Sequence, residues 1–452
     1  MSTTVNKRIN LEKIFESIFL LLNILIDVIE ISFSTINFDP MVSLSFLMIQ
    51  VIAIVGIFLS NSFITPSLMF WIAYYWFFFF VPTYQYFFNK WEFLNSTINS
   101  NMIFYTNILL LIFGMTYIFG AISAGKSKLN FKPKKSNNVN WKNRLINNQI
   151  NISILITIVV FVIYFTHINY NSPIGLIYST FGIAFPAYGL LIVILEFRKL
   201  NHFLRYIYLI FFIIVNFYLS NPLISSRWWG LSFVLAIFLI LFWNKLKKYM
   251  ITIIFLIALL FLGVMGVVTH AYNLNFQERL ILLENSLKTY NPLNSLTSGQ
   301  FDAYENFVWT TKMCQQQGLT DGRQLLGAML FFIPRSWWSN KPVGSGQLIG
   351  EYLKINYGMP NTNLANPIPS EGYINFGIVG VGIFGFVFGF LLKKAEKWRN
   401  YNFPLTNTMY FLLTGLVVFI TRGDLMSSFA YTFGVLFSGA VLNWISNKFF
   451  IF

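Results

Sequence analysis

Two arginines stand where the charge pattern of the rest of the chain would not put them. Arg227 opens an apolar run in Asn221-Pro222-Leu223-Ile224-Ser225-Ser226-Arg227-Trp228-Trp229, and Arg422 closes another in Thr421-Arg422-Gly423-Asp424. A guanidinium is planar, always charged and able to make two parallel hydrogen bonds to phosphate or carboxylate, so an anionic head group is its natural partner at a membrane face. The plainer reading is interfacial snorkelling, with Arg422 neutralised by the adjacent Asp424. A second cationic set follows the stretch Gly322 to Ile333, which is helix-like and apolar but too short to span a bilayer, and which runs into Pro334, Arg335, Trp337, Trp338 and Lys341. Pro334 should end that helix and leave Arg335 and Lys341 at head-group depth, where they would grip a phosphate; contact with anionic lipid by a simple anchor is the alternative.

A carboxylate is the third candidate. Glu371, in Pro369-Ser370-Glu371-Gly372-Tyr373-Ile374-Asn375-Phe376-Gly377, sits at the mouth of an apolar run with Tyr373 two residues on, and is placed to act as a general base. A helix-start carboxylate favoured by the helix dipole is the competing reading. Asp302 and Glu305 flank Tyr304 and share a face if helical, which reads first as solvated surface charge and second as substrate contact. His270, at the end of an apolar run, is a further candidate base, although a lone interfacial histidine ordinarily packs as an amphipathic side chain. Asp27 and Glu30 lie within the first apolar run and would suit proton-coupled transport as well as a protonated structural role. Gly344-Ser345-Gly346-Gln347-Leu348-Ile349-Gly350 imitates a dinucleotide fingerprint, but its spacing is wrong and no strand precedes it, which leaves at most a backbone nest for phosphate. Cys314 has no partner for a disulfide and no ligand companions, and three histidines are too few for a metal cluster.

The elements that must position these groups follow from composition. Of 452 residues, 56% are hydrophobic and 10% charged, too apolar for one water-soluble core. Apolar runs of about 20 residues without period-2 alternation select membrane-spanning helices over barrel strands, so the fold class is an all-α polytopic membrane protein. About twelve spans are expected, roughly at 16–36, 41–60, 66–88, 101–123, 150–170, 174–196, 203–220, 227–244, 249–269, 372–392, 405–421 and 425–446. The aromatic run Trp71 to Phe80 reads as a lipid-facing or packing surface. The formal charge of +15 is concentrated in short loops, above all Lys126 to Arg144, where it sets topology and does not indicate nucleic acid. Those loops place both termini in the cytoplasm and His270 to Glu371 outside, as one large loop with seven acidic and seven basic residues and helical stretches at Glu278 to Leu287 and Gly322 to Phe332. The expected organisation is 1–269 as nine spans, 270–371 as an ordered extracytoplasmic domain on the membrane surface, and 372–452 as the last three spans.

Ile333-Pro334-Arg335, Trp337, Lys341-Pro342, Pro369 to Gly377 and Arg422-Gly423-Asp424-Leu425 together resemble the Wzy-type oligosaccharide repeat-unit polymerases of O-antigen and capsule synthesis. Arg335 is followed after ten residues by Gly346, like the Arg-x10-Gly element of some of these polymerases, in a single copy. The resemblance implies a glycosyltransferase of the bacterial inner membrane that works without metal or cofactor and inverts the anomeric centre. Donor and acceptor would be polyprenyl-diphosphate-linked oligosaccharides, with membrane lipids and a chain-length regulator as further partners. In that setting Arg227, Arg335 and Arg422 would stabilise the departing diphosphate, Glu371, or failing that Glu305 or His270, would take the acceptor proton, and Lys341, Glu305, Asp302, Tyr373 and His270 would contact substrate. An O-antigen ligase and a lipid-linked oligosaccharide flippase are the alternatives.

Overall fold

A computed structural model describes residues 39–60, 64–91, 98–126, 139–165, 181–220, 227–242, 275–288, 301–360, 362–400 and 403–448, with scattered positions between 14 and 32 and at 252, 291, 296, 297 and 299. Among these the regular structure is helical and no strand occurs. We number the helices α1 (Glu16–Leu25), α2 (Pro40–Leu59), α3 (66–87), α4 (Ser100–Lys126), α5 (Val139–Phe165), α6 (Ala184–Leu195), α7 (Leu204–Leu219), α8 (Arg227–Phe242), α9 (Phe276–Lys288), α10 (Ala303–Gln317), α11 (Arg323–Met329), α12 (Ser345–Tyr357), α13 (Ile368–Ala395), α14 (Pro404–Arg422) and α15 (Leu425–Lys448). Six described helices are long and apolar enough to cross a membrane, among them α2, α4 and the last three, and α1, α6, α7 and α8 are shorter apolar helices. The expected span at 249–269 lies outside the described residues, apart from position 252.

Helix starts follow local chemistry. Asp39 caps α2 by accepting from the Met41 amide at 3.0 Å, with Pro40 at the first helical position, where its missing N–H is no loss. Thr65 and Pro66 repeat the device at α3. Asn275 and Glu278 exchange side-chain and backbone hydrogen bonds at the start of α9, a capping box. Within α3 the helix widens into a π-turn over Trp76–Phe80, and Trp71 through Phe79 are buried, so the aromatic run packs inward and does not face lipid.

The tightest pairing is between α4 and α13. They run parallel, with Tyr105 beside Tyr373 near one end and Tyr117 beside Gly389 toward the other. Added Cβ atoms at Gly385 and Gly389 would run into Thr116 and the Tyr117 carbonyl oxygen, and one at Gly120 into the Phe386 carbonyl oxygen. The glycine face is therefore the packing face, while Ile383, Val387 and Leu391 of the same helix stay exposed, as a bilayer permits. Near its start α13 is interrupted: Phe376 and Gly377 leave helical geometry, Gly377 with φ +62, so Ile368 to Asn375 form a two-turn half-helix set off from the long span. Gly372 and Gly380 pack backbone to backbone across this break. The starts of α13 and α15 and the end of α14 meet at one end of the bundle, away from the basic cluster at Lys393, Lys397 and Arg399.

Candidate functional site

Glu371 lies in the half-helix and is 1% exposed. Its Oε1 accepts from the Ser345 hydroxyl at the start of α12 and from the Leu425 amide at the start of α15, the latter at 2.8 Å. Asn366, in the extended chain just before α13, is buried, and its side-chain oxygen accepts from the Thr310 hydroxyl at 3.3 Å. Asn375, one turn on, donates to the Glu371 carbonyl at 2.8 Å and accepts from the Leu325 amide at 3.0 Å. Thr320 donates through both backbone N–H and hydroxyl to the Ile374 carbonyl, at 2.9 and 3.0 Å. The half-helix thus ends on donors from outside it, Thr320 satisfying the Ile374 carbonyl that the break at Phe376 frees and the Leu325 amide holding the Asn375 side chain.

Arg422, 5% exposed, donates to Asp302 Oδ1 at 2.6 Å and to the Gly299 carbonyl at 2.7 Å. The other Asp302 oxygen accepts from Asn306 at 2.8 Å and the Ala365 amide at 3.4 Å, and Asn306 donates in turn to the Ala365 carbonyl. Asp302 and Glu305 are both buried, which overturns their reading as solvated surface charge. The reason is that α10 is embedded: Tyr304 donates to Asn107 of α4 at 2.7 Å, Phe307 packs on Tyr373, and Phe301 on Trp76 and Phe77. Asp424, the partner the sequence offered for Arg422, instead caps α15 by accepting from the Ser427 amide at 3.2 Å and lies against Gly344. Desolvation pushes its carboxyl above the usual range, against the hydrogen bonds that oppose the shift.

Two cations stitch the turn after α11 to itself, and a third ties it to the start of α11. Arg335 donates to the carbonyls of Lys341 and Pro342 at 2.6 and 3.1 Å, Lys341 Nζ to those of Phe331 and Ile333 at 2.6 and 2.9 Å, and Arg323 to that of Asn340 at 3.0 Å. Burial, and then the charge of Arg335, hold the Lys341 ammonium below the usual lysine range. Phe331 anchors the turn between Phe181, Phe429 and Phe433, while Leu326, Met329, Phe332 and Trp337 are left exposed, Trp337 at 80%. Exposed apolar groups beside an indole suit a membrane interface.

Several of the sequence-selected residues come together. Leu425, bonded to Glu371, is three residues from Arg422, and Ser345, also bonded to Glu371, is three residues from Pro342, which Arg335 holds. Three residues of chain span at most about 11 Å. Tyr373 joins this end through a 3.1 Å hydroxyl contact with Tyr105. Arg227 opens α8, but its side chain lies outside the described residues, and so does His270. Glu30 lies outside them too, whereas Asp27 accepts from Gln50 of α2 at 3.1 Å. Cys314 is a buried free thiol that desolvation pushes up to about 12. Sequence reasoning missed Ser345, Asn366 and Asn375. The signal available was the four-residue spacing of Gly346 and Gly350, which marks a helix face that must come close to another backbone.

The helices and this end-on polar site define a multi-pass α-helical membrane protein whose carboxylate and guanidinium are closed off from solvent at one end of the bundle. More particularly, residues 366–450 match the family described as O-antigen polysaccharide polymerase Wzy. The matched segment holds Glu371, Arg422, Asp424 and Leu425. Comparisons with curated proteins and with solved structures give no match.

Proposed function

We propose that the chain joins polyprenyl-diphosphate-linked oligosaccharide repeat units into a surface polysaccharide at the outer face of a bacterial inner membrane, by inverting glycosyl transfer without metal. The observation that carries this reading is the coincidence of the family match with the residues that build the closed carboxylate site. Glu371 takes the proton of the acceptor sugar hydroxyl. That oxygen forms the new bond to the donor's anomeric carbon from the face opposite the diphosphate, which leaves with the electron pair of the broken bond and so inverts the centre. Charge grows on the leaving diphosphate, and Arg227, Arg335 and Arg422 are assigned to stabilise it. Asp302 holds Arg422 in place, while Lys341, Glu305, Tyr373 and His270 are assigned to the sugars and head groups. Burial of Glu371 suits a transfer that must exclude water, since water at the anomeric carbon would release the glycan and waste the donor. The exposed Leu326, Met329, Phe332 and Trp337 would seat the turn in the bilayer beside its lipid-borne substrates. A chain-length regulator is the proposed protein partner.

The test is the size distribution of surface glycan in a deletion strain. Loss of long chains with retention of single repeat units on the lipid carrier or the cell surface is the expected result. Unchanged long chains, or loss of every surface-attached unit, would overturn it.

A further inference from the structure

We propose that Ser345 is a positioning residue for the Glu371 carboxylate, and that the element from Arg335 to Gly346 acts on the transfer by seating it. The inference rests on Glu371 as the proton acceptor. Ser345 is buried, and its hydroxyl donates to Glu371 Oε1, the same oxygen that accepts from Leu425 N. Two donors from two different helices on one carboxylate oxygen hold the carboxylate in a single orientation between α12 and α15.

The hydroxyl has no capping duty to perform. Ser345 is the first residue of α12, one past the cap position, which Gly344 fills without a side-chain cap, and its hydroxyl goes to Glu371. Its removal therefore takes nothing from the helix end. The surroundings hold it from both sides. Arg335 and Lys341 tie down the turn that leads into Gly344, and Gly344 lies against Asp424. On the other side a Cβ at Gly346 would run into the Leu364 carbonyl oxygen and one at Gly350 into Thr362, so both glycines let α12 lie on the chain that leads to Glu371. Ser345, Gly346 and Gly350 are thus parts of one device, which accounts for an arginine and a glycine separated by ten residues without either touching the carboxylate.

The experiment compares S345A, S345T and E371Q in full-length protein expressed in the deletion strain, with membrane protein level and glycan chain length both measured. S345A should lower long-chain glycan about tenfold or more at unchanged protein level, the scale of one hydrogen bond to a charged group, while S345T, which keeps the hydroxyl, retains most of it. Wild-type chain length from S345A beside an inactive E371Q would overturn the role of Ser345 alone. Long chains from E371Q would overturn the proton acceptor and this inference with it. A loss of glycan that merely follows loss of protein in both serine variants would make Ser345 a packing residue and overturn the inference too.

Discussion

Arg422, the last residue of α14, donates to Asp302 at the head of α10 at 2.6 Å, and both side chains are buried. The pair ties the final helices to the long segment between α8 and α13 across 120 positions of chain. A buried pair of this kind is expensive to break from one side, because the survivor is left charged and unpaired, by about 3–5 kcal/mol. R422A and D302A should each lower the melting temperature of the detergent-solubilised protein strongly. The double variant R422M/D302L should recover much of that stability. If Arg422 also stabilises the leaving group, the double variant stays unable to make long chains. Recovery of polymer together with stability would reduce the pair to architecture.

Glu371 is the residue on which the proposed chemistry turns. E371Q keeps the size of the side chain and its ability to accept from Ser345 and the Leu425 amide, but cannot take a proton. Loss of general-base assistance typically slows transfer by about 100-fold to 10,000-fold. The expected result is single repeat units only, at normal membrane level. E371D, a methylene shorter, should draw the carboxylate away from those two donors and give short chains. Long chains from E371Q would assign the base elsewhere.

Hydropathy carried the sequence a long way here, because in lipid the apolar run and the helix are nearly the same object. The runs expected at 41–60, 101–123, 405–421 and 425–446 recur within residues or one turn as α2, α4, α14 and α15. Glu371 was legible for a related reason, since a carboxylate at the start of an apolar run must be handled somehow. Asp302 and Glu305 were not. The sequence of α10 is polar enough to pass for a surface helix, and its burial comes from partners such as Asn107 and Ala365, whose approach is a tertiary fact. Arg422 was recognised, but its partner was sought at Asp424 because proximity in sequence was the only proximity available. Ser345 was hidden by a glycine pattern that resembles a nucleotide loop and here marks close helix packing.

The α4–α13 seam gives a prediction that concerns architecture alone. A Cβ at Gly389 meets the Tyr117 carbonyl oxygen, a backbone atom that cannot swing aside. G389V or G385L must therefore wedge the two helices apart, and overpacking of this kind destabilises by about 1–3 kcal/mol or more. Lower membrane level and a lower melting temperature are expected for both. G382A is the control, because a Cβ there meets Thr116 at an ordinary 3.7 Å and should be tolerated. Equal stability of all three variants would mean that the glycines do not form the seam.

The break in α13 links architecture back to chemistry. Gly377 has φ +62 and ψ −147, a conformation closed to residues with a Cβ, and the half-helix bearing Glu371 is set off from the long span by it. In G377A the backbone must either hold a strained conformation, at about 1–3 kcal/mol, or relax toward continuous helix. Relaxation would rotate and shift Ile368 to Asn375, parting Glu371 from Ser345 and Leu425 and Asn375 from the Leu325 amide. Activity should accordingly fall further than stability, with glycan chains shortened in cells that hold near-normal amounts of protein. D-alanine, incorporated at 377 by semisynthesis, tolerates positive φ and should restore much of the lost chain length. If G377A makes long chains at normal level, the position of the half-helix does not govern the transfer.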